Sequence, residues 1–108
     1  MTEQETVPKR LRLRSKEHSE RPFSWTKDTE GVFQKTTFSQ MWDTVAYIGA
    51  GLHTLGVSRG DHVGIMSHNR AEWIFCDVAI LGIGADDVPR GADSTAQEMA
   101  YFISHADC

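Results

Sequence analysis

The sequence predicts an α/β protein, an N-terminal β-hairpin followed by a βαβ unit, on three observations. Residues 22–38, "PFSWTKDTEGVFQKTTF", alternate large apolar with polar side chains around a turn-forming centre. Two short segments of strand character, "HVGIMS" and "ADDVP", flank "AEWIFCDVAILG", which is long enough for a helix and apolar nearly all round. Two further stretches open on capping signatures, Thr37 with Gln40 and Thr95 with Glu98.

Composition bounds this reading. Of the 108 residues, 40% are hydrophobic and 24% charged, the balance of one small globular domain with a modest core. The longest apolar run, "IFCDVAILGIGA", is broken by Asp77 and is too short to cross a bilayer. The N-terminus has no apolar core of the secretory type. These features point to the cytoplasm. Residues 1–22 carry a net +2 and the remainder −6, so the chain as a whole lacks the positive footprint of a nucleic-acid binder. Cys76 and Cys108 set no disulfide framework, and Cys76 reads as a small buried apolar residue.

The elements follow in order. Residues 1–8 read as a disordered tail. "KRLRLRSKEHSE" reads as a solvated arm or short helix with Leu11 and Leu13 tucked in. Its cations Lys9, Arg10, Arg12 and Arg14 offer a peripheral membrane contact as the alternative. Phe23, Trp25 and Phe33 belong to a hairpin turned by "KDTEG". Met41, Trp42, Val45, Ile48, Leu52 and Leu55 repeat at three and four residues and define one helical face, with Gly56 as the left-handed C-terminal cap. Gly49 and Gly51 each weaken this helix by up to about 1 kcal/mol relative to alanine, a cost offset where another backbone comes close. After "SRGD", strand 62–67 leads through "HNR" into the apolar helix. A second parallel strand, ended by Pro89, leads to a third helix with Met99, Phe102 and Ile103 facing inward.

The chemistry-bearing residues form no complete catalytic, cofactor-binding or metal site. Gly82 and Gly84 make a G-x-G, but they follow a helix and precede a strand, the reverse of a phosphate-binding loop. Asp87 also stands where the third glycine belongs. Their task is to end a helix. Histidines 18, 53, 62, 68 and 105 lack ligand spacing, and His105 with Cys108 supplies only two donors. Ser67 and His68 lack the partners of a nucleophile. Asp86 and Asp87 point to opposite faces of a strand and cannot share a proton. Arg90 lies at the C-terminal sheet edge beside Ser67–Arg70, where ligands of open α/β sheets collect. It could meet an anion there, although an ion pair with Asp87 or Asp93 is the preferred reading.

Taken together, "TFSQM", "LGVSRGDHVGI", "NRAEW" and "ILGIGADDVPRG" resemble, in order and spacing, the beginning of the adenylate-forming (AMP-binding) superfamily, most closely bacterial long-chain fatty acid–CoA ligases. The resemblance covers about residues 9–108 and implies an incomplete N-terminal portion of that family's large domain. It also implies a two-step reaction in the full enzyme, acyl-adenylate then acyl-CoA formation, using ATP, Mg²⁺, coenzyme A and a fatty acid. The phosphate loop, the acid for Mg²⁺ and ribose, and the catalytic lysine of that chemistry are absent from these residues. The expected role is therefore structural, with the remainder of the polypeptide as partner. A non-enzymatic module docking on a partner protein is the alternative. One departure stands out: Asp86 occupies a position where the family enters a buried strand with an apolar residue. Either it lies on an exposed edge or it destabilises the segment, in which case Asp86→Val raises the melting temperature.

Overall fold

A computed structural model describes residues 6–68 and 70–108. Its elements run α1 (Val7–Glu17), β1 (Pro22–Lys27), β2 (Phe33–Thr37), α2 (Phe38–Thr54), β3 (His62–Met66), α3 (Ala71–Gly82), β4 (Asp86–Arg90) and α4 (Ala96–His105). β1 and β2 pair as an antiparallel hairpin, while β3 and β4 form a parallel pair. This is the hairpin-plus-βαβ order expected from the sequence.

The basic segment folds as helix α1. The Thr6 hydroxyl accepts from the Lys9 N–H at 3.2 Å, and Pro8 sits in the first turn, where a missing N–H costs nothing. Val7 and Pro8 thus form a helical turn rather than the end of a disordered tail, and residues 1–5 lie outside the described residues. Leu11 packs on the core, but Leu13 is 55% exposed, because positions two apart on a helix face nearly opposite ways.

In the hairpin turn, Asp28 accepts from the N–H groups of Glu30 and Val32 and from Gln34 Nε2. Gly31 supplies the left-handed residue at φ 81°. A bulge between Pro22 and Ser24 breaks the alternation that would put Phe23 and Trp25 on one face. Phe23 turns inward, edge-on to Phe38 at 5.3 Å, whereas Trp25 stays 58% exposed and Phe33 59% exposed. Lys27 lies over the Phe33 ring at 5.2 Å.

Thr37 ends β2 and caps α2. Its hydroxyl accepts from the Gln40 N–H at 3.1 Å while Gln40 Oε1 accepts from the Thr37 N–H at 2.9 Å, the reciprocal box expected from the sequence. At the other end, Gly56 at φ 99° donates to His53 O and Val57 donates to Leu52 O, closing the helix in a Schellman arrangement. Leu55 therefore leaves the apolar face and is 82% exposed. A Cβ on Gly49 would lie 3.4 Å from Ile83 Cγ2, so this glycine permits close approach to the far end of α3. Gly51 faces open space and has no such role.

α3 ends in the same way. Gly84, at φ 82°, donates to Leu81 O, and Ala85 donates to Ile80 O. The G-x-G therefore turns a helix into a strand. Pro89 does not end β4: it pairs opposite Ile65 and Arg90 follows it, which a proline tolerates on an edge strand. Thr95 caps α4 by accepting from the Glu98 N–H at 3.1 Å, the first half of the expected capping box. Phe102 is buried by α4, while Ile103, expected inward, is 43% exposed.

Two apolar clusters hold these elements. Met41, Val45, Val78 and Ala79 join α2 to α3, with Leu11, Phe23 and Phe75 closing over them. Ile65, Ile80 and Ala85 join β3 to α3. Burying each large side chain contributes about 1.5–3 kcal/mol. On the opposite face of β3, Phe102 Cε1 stands 3.7 Å from where a Gly64 Cβ would be, so the strand pair lies between α3 and α4.

Candidate functional site

The C-terminal sheet edge is assembled, with Arg90 turned onto an aromatic ring. Ser67 N–H donates to Arg90 O at 3.4 Å, bringing the β3 exit and the β4 end together, and Ser67 Oγ donates to the His68 carbonyl. Arg70 occupies the N-cap of α3 without a side-chain cap bond, and Asn69 lies outside the described residues. Strand alternation decides the fate of Arg90. Residues 86, 88 and 90 face α4 and residue 87 faces α3, so Arg90 and Asp87 point apart. The Arg90 guanidinium stacks over Phe102 at 4.7 Å. Asp93 folds back on Gly91, its Oδ1 only 2.7 Å from where a Cβ would stand. Among the described residues neither preferred ion pair of Arg90 forms. An open groove of about 770 Å³ runs along this face, lined by Val88, Arg90, Tyr101, Phe102 and His105.

Asp86 resolves to the exposed alternative. Its carboxylate meets His62 Nε2 at 3.6 Å, with the aspartate side chain 67% exposed. The gain expected from Asp86→Val thus loses its basis in a buried charge.

The carboxylate under stress is a different one. Asp77, the interruption in apolar α3, is half-buried, and its Oδ1 is covered with no hydrogen-bond partner. Asp87 acts on it from β4 on the α3-facing side. Burial above all, then the neighbouring Asp87 carboxyl with its negative charge, pushes the Asp77 carboxyl from its ordinary 3.8 up to about 7. The pair Asp86–Asp87 is indeed split by strand alternation. Asp87 acts instead on Asp77, and the sequence signal for that was an acid interrupting an apolar run.

The cations of α1 face different surroundings. Arg12 and Lys9 border a pocket of about 430 Å³ with Arg59, Trp42 and Gly84, at the C-terminal end of α3. Basic groups gathered at a helix C-terminus complement its dipole. Cys76 is half-buried against the Ile65–Ile80 cluster, and Cys108 is exposed. Among the described residues no three His, Cys, Asp or Glu side chains converge as a metal would require. Among them, too, no helix is long and apolar enough to cross a membrane.

Comparison with known proteins agrees with this architecture. The chain is 33% identical over 78 residues to the long-chain-fatty-acid–CoA ligase FadD15 of Mycobacterium tuberculosis, covering 72% of this chain and 13% of that protein. A fatty acid AMP ligase from Legionella pneumophila superposes with TM-score 0.83 at 16% identity, over 94% of this chain and 18% of that one. The N-terminal subdomain of Klebsiella oxytoca NpsA, in complex with 3-hydroxyanthranilyl-AMSN, superposes with TM-score 0.82 at 22% identity, over 94% of this chain and 25% of that one. This chain thus spans about an eighth of the curated relative it matches, and its fold is the N-terminal part of the large domain of adenylate-forming enzymes. With the AMP-binding enzyme family model matching residues 11–108, the chain belongs to that family.

Proposed function

We propose that residues 9–108 form the N-terminal scaffold of the adenylating domain of an acyl-activating ligase for long-chain fatty acids, structural in role and not competent alone. The observation that carries this reading is the match of 72% of this chain to 13% of a long-chain-fatty-acid–CoA ligase. In the full enzyme, ATP with Mg²⁺ would activate the carboxylate as an acyl-adenylate and coenzyme A would take up the acyl group. The residues present fit none of these groups. They offer no glycine-rich loop between strand and helix, and no three His, Cys, Asp or Glu side chains converge among the described residues. Their contribution is to hold strands β3 and β4 between α3 and α4 as a base for the rest of the domain. The test is ATP–pyrophosphate exchange with a long-chain fatty acid. Residues 1–108 alone should give no exchange, and adding the complementary remainder of a relative such as FadD15 should produce it. Exchange by this chain alone overturns the scaffold role; no exchange with any fatty acid after productive complementation overturns the substrate class.

A further inference from the structure

We propose that the pocket between α1 and the C-terminal end of α3 binds a phosphate group, held by Arg12 and Arg59 beside the Trp42 indole.

The pocket is shaped by the two glycines that end α3. Its volume is about 430 Å³, inside the range of roughly 300–1,000 Å³ typical of small-ligand sites. A Cβ on Gly82 would stand 3.9 Å from Pro8 Cβ, so the first turn of α1 rests on that glycine. A Cβ on Gly84 would stand 2.9 Å from Arg59 Cγ and 3.6 Å from its Cδ, so the arginine stem lies along this one. The Gly60 N–H donates to Gly84 O at 2.9 Å and pins the Arg59 turn to the helix end. Arg12 enters from α1, one turn after Pro8. Two cations remote in sequence thus border one cavity, each carried on a backbone that is already fixed. The G-x-G serves here by letting two walls approach, a different use from a phosphate loop.

The charge balance favours an anion. Among the described residues no Asp or Glu lines the pocket, and neither Arg12 nor Arg59 makes an ion pair. Asp61, close to Arg59 in the chain, accepts instead from the Ser58 N–H at 2.7 Å and from Ser58 Oγ at 3.2 Å. The C-terminal end of α3 opposes an anion with roughly half a negative charge. Its carbonyls at Ala79, Ile80 and Leu81 already accept from the N–H groups of Ile83, Ala85 and Gly84. Two whole positive charges outweigh that half charge and leave a field suited to a dianion.

The donor geometry selects the class. Guanidinium forks pair with the oxygens of a phosphate two at a time, whereas a single carboxylate satisfies one fork. Trp42, half-buried, adds an apolar wall for the body that carries the phosphate. Both arginines are exposed, so the site is open without rearrangement and its affinity falls with salt. A soluble phosphate monoester and a lipid phosphate present the same group. The pocket lies beside the start of β4, at the opposite end of that strand from Arg90. The inference goes beyond the proposed function and holds whatever acid the full enzyme activates.

The experiment is an NMR titration of the full chain with phenyl phosphate and, separately, benzoate, beside flotation with phosphatidylcholine vesicles that contain or lack phosphatidate. Phenyl phosphate should move the Trp42 indole and Gly84 amide signals and bind about tenfold more tightly than benzoate. Arg12→Gln and Arg59→Gln should each weaken it about tenfold. Arg14→Gln removes the same charge from α1 outside the pocket lining and should change it by less than about twofold. Should a glutamine variant fail to fold, Arg12→Lys and Arg59→Lys keep the charge, lose the fork and should bind more weakly than wild type. Flotation that needs phosphatidate and is lost in Arg12→Gln and Arg59→Gln, but not in Arg14→Gln, assigns a lipid source. Phenyl phosphate binding without flotation assigns a soluble one. Benzoate bound as tightly as phenyl phosphate, or equal loss in Arg14→Gln, overturns the proposal. So does the absence of both the Trp42 and Gly84 shifts and an Arg59-dependent flotation.

Discussion

Gly84 and Gly51 both sit near helix ends, yet replacing them should shift stability in opposite directions. Gly84 holds φ 82°, and a Cβ there would lie 2.9 Å from Arg59 Cγ. The arginine stem can move, but the left-handed backbone cannot relax without losing the cap, so Gly84→Ala should lower stability by about 1 kcal/mol or more. Gly51 is helical and faces open space, so Gly51→Ala should raise it by about 0.5–1 kcal/mol. Urea unfolding of the two variants beside wild type measures both signs. A second residue-scale prediction concerns Asp28. Its carboxyl is held below the ordinary 3.8 by the Val32 N–H first, then by the Gln34 side chain and the Glu30 N–H. A depressed carboxyl stabilises the folded chain above its unfolded value, and that support is lost as pH falls below about 3.8. Asp28→Ala should therefore lower the melting temperature at neutral pH and shrink the gap to wild type in strong acid, as circular dichroism melts would record.

Among the elements, α2 depends on one residue at its start. Thr37 ends a strand, accepts from Gln40 and receives its side chain in return. Thr37→Ala should cost about 1 kcal/mol and Thr37→Ser much less, because serine keeps the accepting oxygen. Chemical denaturation of both variants gives the difference. Such ends are legible in the sequence because they are local. The Thr37–Gln40 box and the caps at Gly56 and Gly84 each need only residues a few positions apart. What escapes a sequence reading depends on partners far along the chain. The bulge that turns Phe23 in and leaves Trp25 out is a property of pairing register. The Arg90 side chain goes to Phe102 because of strand alternation against a helix that had first to be placed. The action of Asp87 on Asp77 needs the crossover to be closed before it exists. Hence the adjacent acids Asp86 and Asp87 were separable from sequence, while the carboxyl that Asp87 acts on was hidden.

At the scale of the whole molecule, stability rests on few side chains. Met41 is the largest fully buried residue, and it ties α2 to α3 beneath the hairpin. Met41→Ala should cost about 2–5 kcal/mol, a large share of the roughly 5–15 kcal/mol a native domain holds. Loss of the near-ultraviolet aromatic signal with retained helical signal would be the expected outcome, since the elements survive longer than their packing. The parallel pairing of β3 with β4 also carries a consequence in time. During synthesis the hairpin can close as soon as Thr37 clears the ribosome, since its strands are neighbours in the chain. β3 emerges after α2, and its partner strand β4 is not out until the whole of α3 has followed. Throughout that interval the amides of residues 62–66 are open to strands of other nascent chains, so slow translation between codons 67 and 90 lengthens the exposure and favours aggregation.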